Sequence, residues 1–413
     1  MPDAPRKRLL LVSQRPVDYG GGGSVRWEFL RRALPALGWD VHTVTARVNP
    51  TANEVSTDAG DARLAAARAR VMGAAGAVLG PATRRLAGVQ PEALAPNGLW
   101  SWTGRSAIRR SLAEVRPDAV WATGPPVSAL FAAAAVVGDG PVPLVGEFRD
   151  LWAGNPYFDA GGGTLARLEA RALQRCAAIV SVTDGCVERL AAMHPQVAPR
   201  ISMLPNGFDP SLLERRGDAP AAAPGARATV LHAGTLYGDR TAVSLLRAVS
   251  RPVLAGRVRA VLVGALDQAS ANAVAAARAA GVEVDLVAPV SWERAIELTA
   301  AADVAVVINS PGTGGDMALP TKLYEALALG RPLLALTAPG SEAARLLASL
   351  AQGAGCAPPG DERAIAAAAL RLLDEPPPAV PAAALEPWDR AVVARRVAAL
   401  LDDLIRDDPR RTT

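Results

Sequence analysis

The sequence predicts an α/β protein made of two doubly wound, parallel-sheet domains in tandem, with a cleft between them. Three observations carry that reading. Residues 8–46 run strand, glycine loop, helix, strand, which is a βαβ unit. The same alternation stops at a stretch rich in Pro, Gly and Ala and then restarts. The chain has 413 residues, enough for two domains of ~100–200 residues each.

Each element follows from its local pattern. Arg8-Leu-Leu-Leu-Val-Ser13 is a short apolar run meeting glycines, the signature of a buried first strand. Gly20-Gly-Gly-Gly-Ser24 leads into an amphipathic helix from about Val25 to Leu37, and Trp39 to Ala46 forms the next strand. Further strands are expected at Ala119–Thr123, Val142–Glu147, Ile179–Thr183 and Ile201–Leu204, with Ala/Arg-rich helix at 61–90. Domain 1 thus covers 1–210, and 211–228 is a linker. Domain 2, at 229–385, has strands at Thr229–Ala233, Arg259–Val263, Val282–Leu286, Val304–Ile308 and Pro332–Ala335. Helices fall at Thr241–Val249, Ala269–Ala280 and Asp361–Leu373. In the last segment, 386–413, one helical face collects Trp388, Val392, Val393, Val397, Leu400, Leu401 and Leu404. That apolar stripe is expected to pack back on the first domain.

Composition excludes several classes. There is no run of ~18 apolar residues, so no membrane-spanning helix is expected. The basic start lacks the apolar stretch of a secretion signal. Three cysteines, Cys176, Cys186 and Cys356, make neither a disulfide framework nor a zinc cluster. A cytoplasmic, reduced setting follows as an expectation. The net charge is only +4, the basic residues are scattered, and aromatics are 4% of the chain, which argues against a nucleic-acid partner. Arginines at 63, 68, 70, 84 and 85 could give a basic amphipathic surface and a peripheral membrane contact. Only two lysines, Lys7 and Lys322, occur among 44 basic residues. A lysine that survives such arginine bias draws attention, because an ammonium is a compact charge and a guanidinium a planar fork.

In open parallel sheets, ligands bind where strands end and loops enter helices. Three such places are glycine-rich: Gly20 to Gly23; Leu231-His-Ala-Gly-Thr-Leu-Tyr-Gly-Asp-Arg240; and the segment from Asn309 to Ala335. The first lacks G-x-G-x-x-G spacing, and no phosphate-binding G-x-x-x-x-G-K-[ST] occurs. In the third, a glycine loop precedes a helix opening near Pro320. Its N-terminal amides and Lys322 favour an anion. Glu325, one turn on, can accept sugar hydroxyls, and the combination suits a nucleoside diphosphate. Without a ligand role, Lys322 and Glu325 are an ordinary exposed pair at i, i+3.

This third segment resembles the signature of family 4 glycosyltransferases of the GT-B fold, two Rossmann-like domains. Gly38-Trp-Asp-Val41 resembles the family's G-H-E-V strand, and Leu144-Val-Gly-Glu-Phe-Arg-Asp-Leu-Trp152 the F-R-D-P-W element of one branch. Leu204-Pro-Asn-Gly-Phe-Asp209 resembles P-N-G-[VF]-D, and Ala300-Ala-Ala-Asp-Val304 the A-D-V before the donor loop. The branch makes surface polysaccharides and secondary metabolites.

The resemblance implies a donor site residue by residue. Glu325 matches the ribose-binding glutamate, and Gly234, Thr235 and Arg240 the diphosphate loop, assisted by Lys322. Val290 and Ser291 match the base-lining region, and Gly21, Gly22 and Gly23 the loop facing both substrates. Asp316, Met317, Ala318, Leu319 and Leu323 complete the donor loop and helix start. Two departures mark this chain: the position eight before Glu325, a glutamate in the family, is Met317, with Asp316 beside it; and Arg149 stands where relatives often carry histidine. Arg149 and Asp150 would orient the reacting groups, with Asp150 or Glu147 as base if the reaction inverts. Phe148, Trp152 and Tyr157 are candidates for an acceptor pocket. The implied activity is sugar transfer from a nucleotide sugar to a hydroxyl or amine, usually retaining, with no metal or other cofactor. The acceptor would be a small molecule, a lipid-linked glycan or a cell-surface precursor. A non-catalytic nucleotide-sugar-binding protein and a nucleotide-sugar epimerase are the alternatives on the same fold.

Overall fold

The computed structural model describes residues 6–15, 22–45, 54–56, 91–153, 163–217 and 226–406. The helix expected at 61–90, Gly21 and Tyr157 lie outside the described residues. The chain forms two compact units. One takes Met1–Tyr19, Gly23–Pro205 and Val393–Thr413; the other takes Gly20–Gly22 and Asn206–Val392.

In the first unit the order is β1 (Lys7–Ser13), α1 (Gly22–Ala33), β2 (Trp39–Thr45), β3 (Glu54–Ser56), α2 (Pro91–Val115) and β4 (Ala119–Gly124). It continues with α3 (Ser128–Val137), β5 (Leu144–Phe148), α4 (Gly163–Gln174), β6 (Ala178–Ser181), α5 (Asp184–Met193) and β7 (Ile201–Met203). The sheet order is β3-β2-β1-β4-β5-β6-β7, and every pairing is parallel. All six residues of β4 are buried, as a central parallel strand covered on both faces requires. The helix expected to reach Leu37 ends at Ala33; Pro35 turns the chain into a tighter turn over Leu34–Leu37, closed by Gly38 at φ 86°. One side of the core holds Trp27, Trp39 and Trp121 against Val393, Val397 and Leu401 of the C-terminal helix. Lys7 anchors that helix, its Nζ lying 2.5 Å from Asp402 Oδ1 and over the Trp39 ring.

The second unit contains α6 (Ser211–Glu214), β8 (Ala228–Ala233), α7 (Val243–Val249), β9 (Val258–Val263), α8 (Gln268–Ala279), β10 (Glu283–Val287), α9 (Trp292–Ala300) and β11 (Val304–Ile308). It goes on through α10 (Thr313–Asp316), α11 (Thr321–Ala328), β12 (Leu333–Leu336), α12 (Glu342–Ser349), β13 (Cys356–Ala357), α13 (Glu362–Asp374) and α14 (Ala382–Leu385). The last helix, α15 (Arg390–Arg406), begins here. Sheet order β10-β9-β8-β11-β12-β13 repeats the doubly wound pattern of the first unit. Ser291, Ser341 and Asp361 cap α9, α12 and α13 by accepting backbone N–H bonds, which fixes where those helices start. Residues 211–217, expected as linker, carry the short α6 and a turn. The C-terminal helix starts at Arg390 rather than Trp388, because Glu386–Trp388 forms a separate tight turn around Pro387.

Candidate active site

Strand order reverses in the second unit between β8 and β11, and the segments leaving their carboxyl ends are Gly234–Arg240 and Asn309–Pro320. The backbone there is close-packed. Gly234 N–H donates to Val263 O at 2.8 Å and Gly264 N–H to Val287 O at 2.9 Å. Gly264, at φ 121°, has no room for a side chain: a Cβ would lie 2.8 Å from Gly234 O. In the donor loop a Cβ on Gly315 would lie 1.6 Å from Ser310 O. Asn309 ties this loop down by donating Nδ2–H to Ala318 O at 3.2 Å.

The Lys322 ammonium occupies the space over Gly234, whose φ is 150°; a Cβ there would sit 1.9 Å from Nζ. Sequence places the glycine and the lysine 88 positions apart, and the fold makes them one feature. Burial, together with the Arg240 guanidinium, pulls the Lys322 pKa down to about 7, against the opposing pull of Glu325. His232 lies beside them, fully buried. Its Nδ1 is 3.0 Å from Val306 O, and Nε2 has no partner. Burial first, then Lys322, holds its pKa well below the usual histidine value, so the ring is neutral and Nδ1 carries the proton. Arg240 stacks over Tyr237 at 5.1 Å. Gly234→Ala is expected to fold, since only the mobile tip of Lys322 must give way, at a backbone cost of about 1 kcal/mol. It should weaken anion binding at this point by about tenfold, one displaced charge-assisted bond; calorimetric titration of the variant measures both.

Glu325 is 8% exposed. Its Oε1 accepts from Trp292 Nε1–H at 2.7 Å and lies 3.9 Å from Arg390 Nη2. Burial raises its pKa; Arg390, Trp292 and Lys322 oppose that rise. The exposed Lys322–Glu325 pair, the alternative without a ligand role, is thus not what forms: Glu325 is buried and Lys322 half-buried.

The remaining donor candidates separate. Thr235 is exposed and Val290 is 37% exposed at the strand ends. Ser291 spends its hydroxyl on the Arg294 N–H at 3.3 Å. Asp316 and Met317 are half-buried, and Asp316 Oδ1 is sealed without a partner. Ala318 offers its carbonyl to Asn309. Leu319 and Leu323 are core residues at 8% and 0% exposure, which leaves no ligand contact for the Leu323 side chain. Gly22 and Gly23 form the first turn of α1.

The first-unit candidates also divide. Glu147 is 1% exposed. It is ion-paired with Arg26 and accepts the indole N–H of Trp27 at 2.6 Å and of Trp121 at 3.1 Å. Burial alone would raise its pKa, but Arg26, Arg149 and the Trp27 indole hold it below the usual carboxylate range. The structure therefore places Glu147 as a sealed anchor, which removes it as a candidate base. Phe148 is 1% exposed and cannot line an acceptor pocket. Trp152 is half-buried and packs at 4.8 Å on Phe131. Arg149 is half-buried and held by the carbonyls of Gly124 (Nε, 3.1 Å) and Pro125 (Nη2, 2.9 Å). Asp150 is exposed beside it.

A model of Glycosyltransferase Family 4 matches residues 20–212, and a model of the glycosyl transferases group 1 matches residues 227–375. The chain is a GT4-like GT-B glycosyltransferase. No curated protein matches it by sequence. Solved structures match over nearly the full length. Sucrose-phosphate synthase from Thermosynechococcus elongatus is 16% identical with TM-score 0.69, covering 97% of this chain and 99% of that one. Anabaena HepE, solved in complex with UDP and glucose, is 16% identical with TM-score 0.61, covering 96% and 100%. The trehalose 6-phosphate synthase of Burkholderia multivorans is 16% identical with TM-score 0.63, covering 97% and 99%.

Sequence reasoning missed three residues of this glycosyltransferase's candidate site. Asn309 was visible at a strand end but carried no charge to mark it. Trp292 follows two residues that were singled out, and only the fold turns its indole onto Glu325. Arg390 lies 65 positions beyond Glu325 in an unremarkable helix start, and no spacing rule could have joined them.

Proposed function

We propose that this glycosyltransferase moves a sugar from a nucleotide-sugar donor to a hydroxyl or amine acceptor, without a metal and with retention of configuration. The second unit holds the donor, and the first presents the acceptor near Arg149 and Asp150. The observation that carries the reading is the Lys322 ammonium lying over a bare glycine at the switch point, with the Glu325 carboxylate one turn further along α11. Lys322, Arg240 and the first amides of α11 would neutralise the departing diphosphate. In the retaining route, the bond from the sugar's C1 to the phosphate oxygen breaks as the acceptor oxygen bonds to C1 on the same face. The acceptor proton passes to the departing phosphate oxygen, so no protein base is required. That suits a site in which Glu147 is sealed. The hydroxyls of the transferred sugar would meet the half-buried Asp316, which precedes Met317, the place of the family's first glutamate.

Thermal-shift titration with UDP, GDP, dTDP and ADP tests the donor. The right nucleotide at about 100 times its Kd should stabilise by about 2.7 kcal/mol, and Glu325→Ala should lose most of that shift. No shift with any of the four would sink the donor-site reading. Supplying the sugar nucleotide of the tightest binder with an alcohol acceptor, and reading the product anomer by NMR, tests transfer and retention. Release of an epimer or free sugar without acceptor would favour the epimerase, and binding without turnover the non-catalytic protein.

A further inference from the structure

The chain holds two lysines, and the fold gives them opposite chemistry. An amine attacks an electrophile only through its lone pair, so an ammonium is inert until it loses its proton. Lys7 is spent in that sense. Its Nζ is paired with Asp402 Oδ1 at 2.5 Å and lies 5.1 Å from the centre of the Trp39 ring. The arginines offer no substitute, because a guanidinium stays protonated.

Lys322 is different on three counts. Among the described residues, no hydrogen bond or ion pair engages its Nζ. Its surroundings also oppose a charge. The residue is half-buried, the Arg240 guanidinium repels a second cation, and the neutral His232 ring supplies no counter-charge. A lysine desolvated beside another cation is a reactive amine; with its pKa drawn down to about 7 against the pull of Glu325, a large share of Lys322 carries a lone pair at neutral pH. Finally, there is room in front of it. Gly234 is bare, and a Cβ there would lie 1.9 Å from Nζ and 3.7 Å from His232 Nε2.

The same corner attracts phosphate, a point that rests on the nucleotide-site reading above. Arg240 is half-buried and stacked on Tyr237 at 5.1 Å. It and the first amides of α11 favour any phosphate group, whatever that phosphate carries. An acyl phosphate joins a reactive carbonyl to phosphorus through one oxygen. Docking its phosphate here brings the carbonyl to the amine.

We propose that Lys322 is a modification site for acyl phosphates, held by their phosphate, and that its acylation switches donor binding off. The neutral Nζ attacks the acyl carbon. The bond from that carbon to the phosphate oxygen breaks, and the proton lost by nitrogen passes to the departing phosphate. The products are an amide and inorganic phosphate. The amide has no positive charge, and its acyl group fills the space over Gly234 that the diphosphate would use. Nucleotide and acyl phosphate therefore compete, and a bound nucleotide shields the lysine.

The experiment treats the full-length protein with acetyl phosphate near neutral pH and reads acetylation of Lys322 and Lys7 separately by peptide mass spectrometry. Lys322 should react at least about tenfold faster than Lys7, since each unit of pKa changes the neutral fraction about tenfold. Acetic anhydride lacks the phosphate, and with it the Lys322-to-Lys7 ratio should fall by about tenfold, the worth of one charge-assisted bond. The tightest of UDP, GDP, dTDP and ADP, at about ten times its Kd, should slow Lys322 about tenfold and leave Lys7 unchanged. The acetylated protein should bind that nucleotide about tenfold or more weakly. Equal rates at the two lysines, or equal ratios with the two reagents, overturn the proposal. The nucleotide site still stands in that case if the nucleotide binds and Lys322→Met weakens it. If no nucleotide binds, or one binds without shielding Lys322 and Lys322→Met leaves its affinity intact, the site reading is wrong and the proposal falls with it.

Discussion

Raising the pH from 6 to 9 is expected to weaken binding of the nucleotide sugar by up to about tenfold per unit once pH 7 is passed. The sign follows from Lys322. In the ligand-free protein its pKa is pulled down to about 7 by burial and by Arg240, so at neutral pH about half the molecules carry a neutral amine. A bound diphosphate restores the charge, so the complex holds more protons than its separated parts, and affinity falls as protons become scarce. The nucleotide sugar is the right probe, because its phosphates are diesters, whereas a free nucleoside diphosphate has a terminal phosphate that titrates near pH 6. His232 does not confuse the profile, since its pKa lies well below the usual value. Calorimetry in buffers of different ionisation heat should show proton uptake on binding. A flat affinity profile and no uptake would mean that the diphosphate does not meet Lys322.

Lys322→Met should remove the pH dependence and reduce affinity by about 10–150-fold, the range of a bond to a charged group. The empty protein should respond in the opposite sense. Its Lys322 binds fewer protons folded than unfolded between the folded pKa of about 7 and the unfolded value near 10.4, so stability rises with pH across that window. The methionine variant loses that rise and is more stable at pH 7, where burying the charge still costs the wild type. A binding group that destabilises its own fold is a functional group held in place by its surroundings.

The sequence shows why this much of the site was legible and no more. β11 falls at Val304–Ile308, the bounds its unbroken apolar run predicts, and the loop after it was recognised because Gly, Pro and Lys each leave a local mark. Both sheets follow from short buried strands punctuated by helices. Illegible parts have non-local causes. β3 is three residues long at a sheet edge, too short for a period. α2 runs through Gly98 and Gly104 although glycine is a poor helix former, and Gly104 is where the Trp100 ring lies 3.1 Å from a Cβ position. Glu147 is a candidate base on sequence as a carboxylate of the Leu144–Trp152 element. Only the packing of α1, which brings Arg26 and Trp27 from 120 and more positions away, shows that its charge is already matched.

That buried cluster carries the largest expected stability effect. Glu147→Gln should destabilise the first unit by about 3–5 kcal/mol, because it leaves the Arg26 guanidinium, at 0% exposure, without its counter-charge. The size is set by the orphaned cation, so removing the cation as well should recover much of it. Arg26→Met combined with Glu147→Gln is expected to be more stable than Glu147→Gln alone by at least about 2 kcal/mol, since replacing a whole buried pair is often neutral. Recovery depends on what faces the indoles. Glutamine keeps a carbonyl oxygen for the Trp27 or Trp121 N–H, whereas Arg26→Met with Glu147→Leu leaves both N–H groups buried and unbonded. Each orphaned donor costs about 1–3 kcal/mol, so the leucine double variant should rank below the glutamine one. Urea unfolding followed by tryptophan fluorescence reads the order, because Trp27 and Trp121 meet edge to face at 5.4 Å beside the carboxylate. If Glu147→Gln cost under about 1 kcal/mol, or the double variant were no better than the single, the pair would not be the anchor its geometry describes.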